Sequence, residues 1–415
     1  MRPSHLLLAS AAALLLSAHL LARQGPPPGP PPGPPPGGGP GQGPGEGPPG
    51  PGPAPMLPDL TTAERQAFVF GARAFNRRYE VADGLGPVFN DESCAPCHPG
   101  GNASNRLVTR FGRVTTDGFD PLEALGGALV QERGIGPITT ADGDHEFAGE
   151  RVPTEANVVA RRRSQPLRGL GFVDATPDEA FLALAEEQLA ADPSTAGRAQ
   201  LVFDPTTGGT RVGRFGWKAQ VPTLRAFAGD ALLNEMGITS PGFRDEVCPQ
   251  GDCPALGFNP APALNDDGGD ASAITDFMTL LAAPARGALT EDAVAGERLF
   301  EQVGCASCHR PAMETGPSQV RALDRAVFHP YSDFLLHDMG PLGDGIPHGV
   351  AGGREMRTAP LWGLRFVNRY LHDGSAATVE EAVRRHGGQG SAARNRFDAL
   401  EESERAAVLA FLGSL

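Results

Sequence analysis

Two short strings carry the chemistry of this chain. Cys94-Ala95-Pro96-Cys97-His98 and Cys305-Ala306-Ser307-Cys308-His309 each place two thiols one helical turn apart, with a histidine directly after the second. This is the spacing for attachment of a c-type haem. The thiols add to the two vinyl groups, and the histidine ligates iron from the proximal side. A redox dithiol needs a βαβ context, which is missing here. A zinc site needs the two pairs to converge and leaves His98 and His309 without a role. The sequence therefore predicts two covalent c-type haems, with His98 and His309 as iron ligands. Cys248 and Cys253, in Cys-Pro-Gln-Gly-Asp-Cys, have no histidine after them. They read as a local disulfide in an oxidising compartment, with two inert thiols as the alternative.

The elements that position these groups read as mostly helical. Thr61 and Glu64 form a capping box for a helix running to Tyr79. Thr176-Pro177 caps a helix through Ala190, and Thr290 starts one leading to Gly304 and the second motif. Thr378 and Glu381 form another box, with Gly387 as the stop, and Ser403 begins a final helix near the C-terminus. A helix before C-x-x-C-H and a helix at the end are the two packing partners of a cytochrome c fold. Few alternating segments suggest strands. The expected fold is mainly α, with two cytochrome c-like haem domains in tandem. An internal repeat agrees. Phe89 and Phe300 each stand five residues before a motif. Arg163-Ser-Gln-Pro-Leu-Arg-Gly169-Leu-Gly-Phe-Val173 matches Arg357-Thr-Ala-Pro-Leu-Trp-Gly363-Leu-Arg-Phe-Val367.

The chain has 415 residues, enough for two or three domains. Its excess of glycine and proline is local, since 28 of the 31 residues from Gly25 to Pro55 are one or the other. The irregular spacing excludes collagen and fits an extended tether. Before it, Arg2 and the apolar run Leu6–Ala18 fit a secretory signal peptide, with an uncleaved membrane anchor as the alternative. The expected division is signal peptide 1–22, Gly/Pro-rich disordered linker 23–55, N-terminal c-type haem domain 56–285 and C-terminal cytochrome c domain 286–415. The expected location is periplasmic, or otherwise exported. The formal net charge is −14. An acidic body argues against nucleic acid, DNA included, and against an anionic membrane as partner. Haem propionates would add to that charge, so a protein redox partner should be basic.

Three further strings carry a resemblance. They are Gly213-Arg-Phe-Gly-Trp217-Lys218, with Glu235-Met236-Gly237 after it; Tyr331-Ser-Asp-Phe-Leu-Leu-His337-Asp-Met339-Gly; and Tyr370-Leu-His372-Asp-Gly-Ser. From about Phe70 onward the chain resembles the di-haem oxidoreductase family, described as peroxidases and sometimes labelled thiol oxidoreductases. It is also similar to bacterial di-haem cytochrome c peroxidases and their methylamine-dehydrogenase-maturing relatives. The resemblance implies Trp217 as an electron relay and Glu235 as the catalytic carboxylate over a peroxide-binding haem. It implies an oxidoreductase that passes electrons from the C-terminal haem to the N-terminal one, where hydrogen peroxide is reduced. The reductant would be a small cytochrome or cupredoxin. The alternatives are a non-enzymatic di-haem electron-transfer cytochrome and a maturation enzyme that oxidises a partner protein. Thiol oxidation gets no support, because the remaining cysteines look structural.

Sixth ligands differ from the resemblance. No histidine occurs from Pro99 to Asp144, which leaves the first haem open to a small ligand; Met236 or His145 could still close it. At the second haem, the position that is methionine in the peroxidases is His386, with Met339 as the alternative ligand. Arg163 and Arg357 suit haem propionates. His337 and His372 suit propionates or each other. Asn265-Asp-Asp-Gly-Gly-Asp270 is oxygen-rich, but its spacing fits no calcium-loop rule, so it reads as a solvated loop.

Overall fold

The computed structural model describes residues 55–415; the expected signal peptide and all but the last residue of the Gly/Pro tract lie outside them. The helices are α1 (Thr62–Asn76), α2 (Leu170–Asp174), α3 (Asp178–Ala191), α4 (Leu224–Met236), α5 (Gly269–Leu280), α6 (Glu291–Gln302), α7 (Val379–Arg384), α8 (Ser391–Asp398) and α9 (Glu402–Leu412). Among the described residues, no helix is long and apolar enough to cross a membrane.

Mainly α is only partly right. Helical turns of all kinds make up 36% of the fold and strands 18%. The strands form small antiparallel sheets, the largest ordering Gly118–Asp120, Leu107–Thr115 and Val158–Arg163. Their signal is hidden in the sequence. Val158–Arg163 buries Ala160, Arg162 and Arg163, so no apolar alternation shows.

Local chemistry sets most helix starts. Thr61 and Glu64 cap α1 reciprocally, and the hydroxyl of Thr290 accepts from Ala293 N at the start of α6. Three expectations need correction. Thr176 does not cap α3; its hydroxyl donates back to the Phe172 carbonyl, and Pro177 holds the cap position. Ser403 lies inside the first turn of α9, which Glu401 and Glu404 box instead. Thr378 does cap α7, but that helix ends at Arg384, before Gly387.

The helices pack as two matched pairs. α1 crosses α5 where Gly71 meets the carbonyl of Ala273; α6 crosses α9 where Gly296 meets the carbonyl of Ala407. A Cβ at either glycine would overlap that carbonyl. Four residues further along each helix stands a phenylalanine. Phe75 meets Phe277 at 4.8 Å between centroids, and Phe300 meets Phe411 at 5.1 Å. Each such burial contributes on the order of 1.5–3 kcal/mol. The partner of Phe300 in the repeat is therefore Phe75. Phe89, matched to Phe300 by its spacing to the motif, sits instead in a two-residue strand opposite Arg133. The second half of the repeat holds. Gly169 and Gly363 both adopt positive φ, 80° and 75°, and each opens a helical turn.

The larger apolar core joins α1, α2, α4 and α5 to Phe328, Phe334 and Trp362 from the C-terminal half. A smaller core gathers Phe300, Tyr331, Phe397 and Phe411. Cys248 and Cys253 are joined as a disulfide. A buried ion cluster ties the halves together. Asp344 pairs with Arg162 at 2.6 Å and with Lys218, the chain's only lysine, at 3.1 Å.

Candidate functional site

The second motif opens where α6 ends. Gly304, at φ 84°, turns the chain into Cys305–Ser307. His309 places Nδ1 2.9 Å from the Tyr331 carbonyl, and His386 places Nδ1 2.8 Å from the Ala382 carbonyl. Each contact puts the ring N–H on Nδ1 and leaves the Nε2 lone pair for a metal. The two rings stand 6.4 Å apart between centroids, inclined by 55°. Two imidazoles that share one metal, each bonded at about 2 Å, need a separation of this order. Both rings line a cavity of about 510 Å³, together with Cys305, Cys308, Met339 and Trp217. That volume lies within the usual range for cofactor pockets. Burial, and then His386, push His309 down to about 4; burial lowers His386 as well. Both are thus neutral at ordinary pH, as metal ligands must be. The slot, the two free thiols and the opposed imidazoles fit a haem. Met339 lines the same cavity, so both expected sixth ligands reach it.

Beside Cys308, His337 pairs with Asp333 rather than with His372, one of the partners expected for it. Asp333 and His337 are 0% and 2% exposed. His337 Nε2 is 2.8 Å from the Asp333 carboxylate, and Nδ1 is 3.5 Å from Cys308 Sγ. Burial opposes charge on this imidazole, but Asp333 prevails and raises its pKa well above the usual histidine range.

The first motif is surrounded differently. His98 is pushed down to about 4 by burial, against the opposing pull of the Gln165 backbone. The aromatic ring beside it is Phe75, edge-on at 6.5 Å. Burial raises the Cys94 thiol to about 12 and the Cys97 thiol to about 11, and the charge of Glu235 bears on both. Glu235 stands in the last turn of α4, which Gly237 closes at φ 72°. Its carboxylate accepts from Asn90 Nδ2 at 2.8 Å, and its carbonyl accepts from Asn90 N at 2.8 Å. Burial raises its pKa, while Asn90 and Arg110 oppose the rise.

Asn90 and Arg110 were missed from the sequence, which contains no motif that singles them out. Among the described residues, the Arg110 guanidinium makes no ion pair, and its Nε has no hydrogen-bond partner. Burial lowers its pKa to about 10, against the pull of Glu235 and Asp230. Met236 is 1% exposed and packs in the larger core. His145 stacks on Phe258 at 3.5 Å.

Trp217 touches both halves of the chain. Its indole N–H donates to the Arg163 carbonyl at 2.9 Å, and its own carbonyl accepts from Arg357 N at 2.9 Å. His372 meets the indole edge-on at 6.2 Å. Arg163 and Arg357 line the same cavity, but much of their donor capacity goes to backbone. Arg163 reaches the carbonyls of Arg369 and Ser104, and Arg357 those of Gly216 and Thr358. In the oxygen-rich loop, Asp266 accepts from two backbone N–H groups opening α5, and Asp270 pairs with Arg77 and Tyr79.

No curated protein matches the chain. Among solved structures it is similar to hydrazine synthase of Kuenenia stuttgartiensis, at 15% identity over 87% of this chain and 90% of that one, with a TM-score of 0.39. A MauG-like protein associated with microbial copper homeostasis matches at 17% identity over 88% and 93%, with a TM-score of 0.38. The diheme peroxidase BthA from Burkholderia thailandensis matches at 15% identity over 84% and 86%, with a TM-score of 0.39. Residues 150–415 match the family described as "di-haem oxidoreductase, putative peroxidase", and the chain belongs to that family.

Proposed function

We propose that the protein is an exported, periplasmic c-type di-haem oxidoreductase that reduces hydrogen peroxide. Cys94, Cys97 and His98 would hold one haem, and Cys305, Cys308 and His309 the other. They do so in two cytochrome c-like modules, 56–285 and 286–415, behind a signal peptide and a tether. One observation carries the reading. His386 stands opposite His309 at the second motif, whereas the first has the Glu235 carboxylate within electrostatic reach of its thiols. The second site thus suits electron transfer and the first suits a reacting ligand.

Bound haem iron supplies the redox chemistry. Glu235 moves the proton. It takes one from the near oxygen of hydrogen peroxide and returns it to the far oxygen, which leaves as water. Asn90 holds one carboxylate oxygen in place, and burial raises the proton affinity that the return step needs. Trp217 relays electrons from the second module to the first. Its ring is held by Arg163 and its backbone by Arg357, so it need not move. Two electrons come from a basic partner, a small cytochrome or cupredoxin, in keeping with the acidic body.

Stopped-flow spectra of half-reduced protein mixed with hydrogen peroxide test this reading. A rapid change confined to one haem is expected. Only low-spin six-coordinate haem, before and after partial reduction and indifferent to peroxide, would overturn it.

A further inference from the structure

Lys218 is a buried cation that the proposed reaction leaves unused. Its side chain is 0% exposed, and the ammonium group faces four oxygens. Nζ donates to the carbonyls of Gly352 at 3.1 Å, Gly353 at 3.2 Å and Glu355 at 2.5 Å, and pairs with Asp344 Oδ1 at 3.1 Å. All four oxygens belong to one loop, residues 344–355. That loop is closed by its own backbone. Gly345 N donates to the Gly353 carbonyl at 3.0 Å, and His348 and Ala351 exchange both of their backbone hydrogen bonds, at 2.9 and 3.1 Å. Gly353 runs so close to Gly345 that a Cβ there would lie 2.8 Å from the Gly345 carbonyl oxygen. Asp344 is fixed by Arg162 Nε at 2.6 Å and by Ile346 N at 3.0 Å. The loop thus forms an oxygen-lined cage, and the lysine stem delivers an ammonium group to it from the other half of the chain.

The chemistry of the cage selects its occupant. Three of the oxygens are neutral carbonyls, and the one carboxylate is shared with Arg162. A pair with Asp344 alone would not need those carbonyls, whereas an ammonium group has three N–H donors to satisfy. Three of the four contacts are 3.1–3.2 Å, which are hydrogen-bond lengths, longer than the 2.3–2.6 Å at which calcium is held. The surroundings are already rich in cations. Burial, and then the charges of Arg110, Arg162 and Lys218, push His348 of the same loop down to about 3. A divalent ion would bring a second charge with no anion to meet it.

We propose that loop 344–355 is a binding site for a monovalent ammonium group, with Lys218 as its tethered ligand, and that this contact fixes the chain at Trp217. The link to Trp217 rests on the reading of that residue as a relay. Trp217 directly precedes the ligand, and its carbonyl accepts from Arg357 N at 2.9 Å, two residues beyond the cage. Lys218 is a positioning residue.

The test vacates the cage and offers it free ions. Urea unfolding of the full-length protein is followed in ammonium, tetramethylammonium and calcium chloride at equal ionic strength. In tetramethylammonium, Lys218→Ala should raise the unfolding constant by about a hundredfold or more, because Asp344 and the carbonyls stay buried without their cation. Ammonium should recover at least about tenfold of that loss, saturably, and calcium should not. The parent should show no such preference. If Lys218→Ala is unfolded in tetramethylammonium before urea is added, it should regain its fold in ammonium. Equal instability in all three salts, rescue by calcium but not by ammonium, or parent-like stability overturns the proposal. Interhaem electron transfer in Lys218→Ala should slow, and should recover with ammonium alongside the fold. Unchanged transfer in Lys218→Ala, where Trp217→Phe slows it, overturns the link to Trp217. Unchanged transfer in both variants overturns the relay reading and leaves the cage to the unfolding result.

Discussion

Around the first motif, Gly71 lets α1 meet α5 and Phe75 stands beside His98; around the second, Gly296 lets α6 meet α9 and Phe300 stands beside His309. The frames match, but their furnishings differ. His309 has a carbonyl on Nδ1 and His386 across a cavity, whereas the charge of buried Glu235 bears on the two thiols that precede His98. A repeated scaffold thus fixes where each motif sits, and the surrounding loops decide what each can do. On the proposed function, the difference suits the second site to electron storage and the first to proton-coupled chemistry.

The largest break in that comparison is Glu235→Gln. Peroxide kcat/KM should fall by about a hundredfold or more at unchanged haem content, measured by peroxide consumption. The pH profile supplies the sign. A base must be ionised to act, and burial raises Glu235 above the ordinary 4.5. Activity should therefore fall with decreasing pH at a value above 4.5, and Glu235→Gln should abolish that limb. Next is His386→Ala, which removes the imidazole 6.4 Å from that of His309. Half of the haem should pass from low-spin to high-spin in the ferric absorption spectrum, and His386→Met should restore low-spin with a raised potential. Trp217→Phe follows, with interhaem electron transfer slowed by about tenfold, or about 1.4 kcal/mol on the barrier, in flash reduction experiments. Smallest in functional effect are Gly71→Ala and Gly296→Ala. Each should cost about 1–3 kcal/mol by denaturant unfolding, because each forces a helix pair apart. Similar costs at both would support two equivalent frames, and a cost at one alone would break the equivalence.

Much of this was legible in the sequence. The thiols, their histidines, the caps of α1 and α6, and the Gly169/Gly363 repeat rest on local spacing, which a sequence displays directly. The match of Phe75 to Phe300 was not legible. Nineteen positions separate Phe75 from Cys94 and only five separate Phe300 from Cys305, so an inserted loop moved the motif away from its helix. The strands were hidden because Arg162 and Arg163 occupy buried positions where apolar residues would have shown a period. Asn90 and Arg110 lie more than a hundred residues before Glu235, and only the fold brings them to it. The Asp333–His337 pair was visible as part of a motif, but its proximity to Cys308 depends on the turn after Cys308 and on Gly197, where a Cβ would lie 2.6 Å from His337 Nε2.

The asymmetry of the two sites is tested most directly by low-temperature electron paramagnetic resonance of the fully ferric protein, with and without hydrogen peroxide. The account predicts two distinct haem signals. One is a low-spin signal of bis-histidine type, lost in His386→Ala and unmoved by peroxide. The other responds to peroxide in the parent. Two equivalent low-spin signals, neither changed by peroxide nor by His386→Ala, would contradict it.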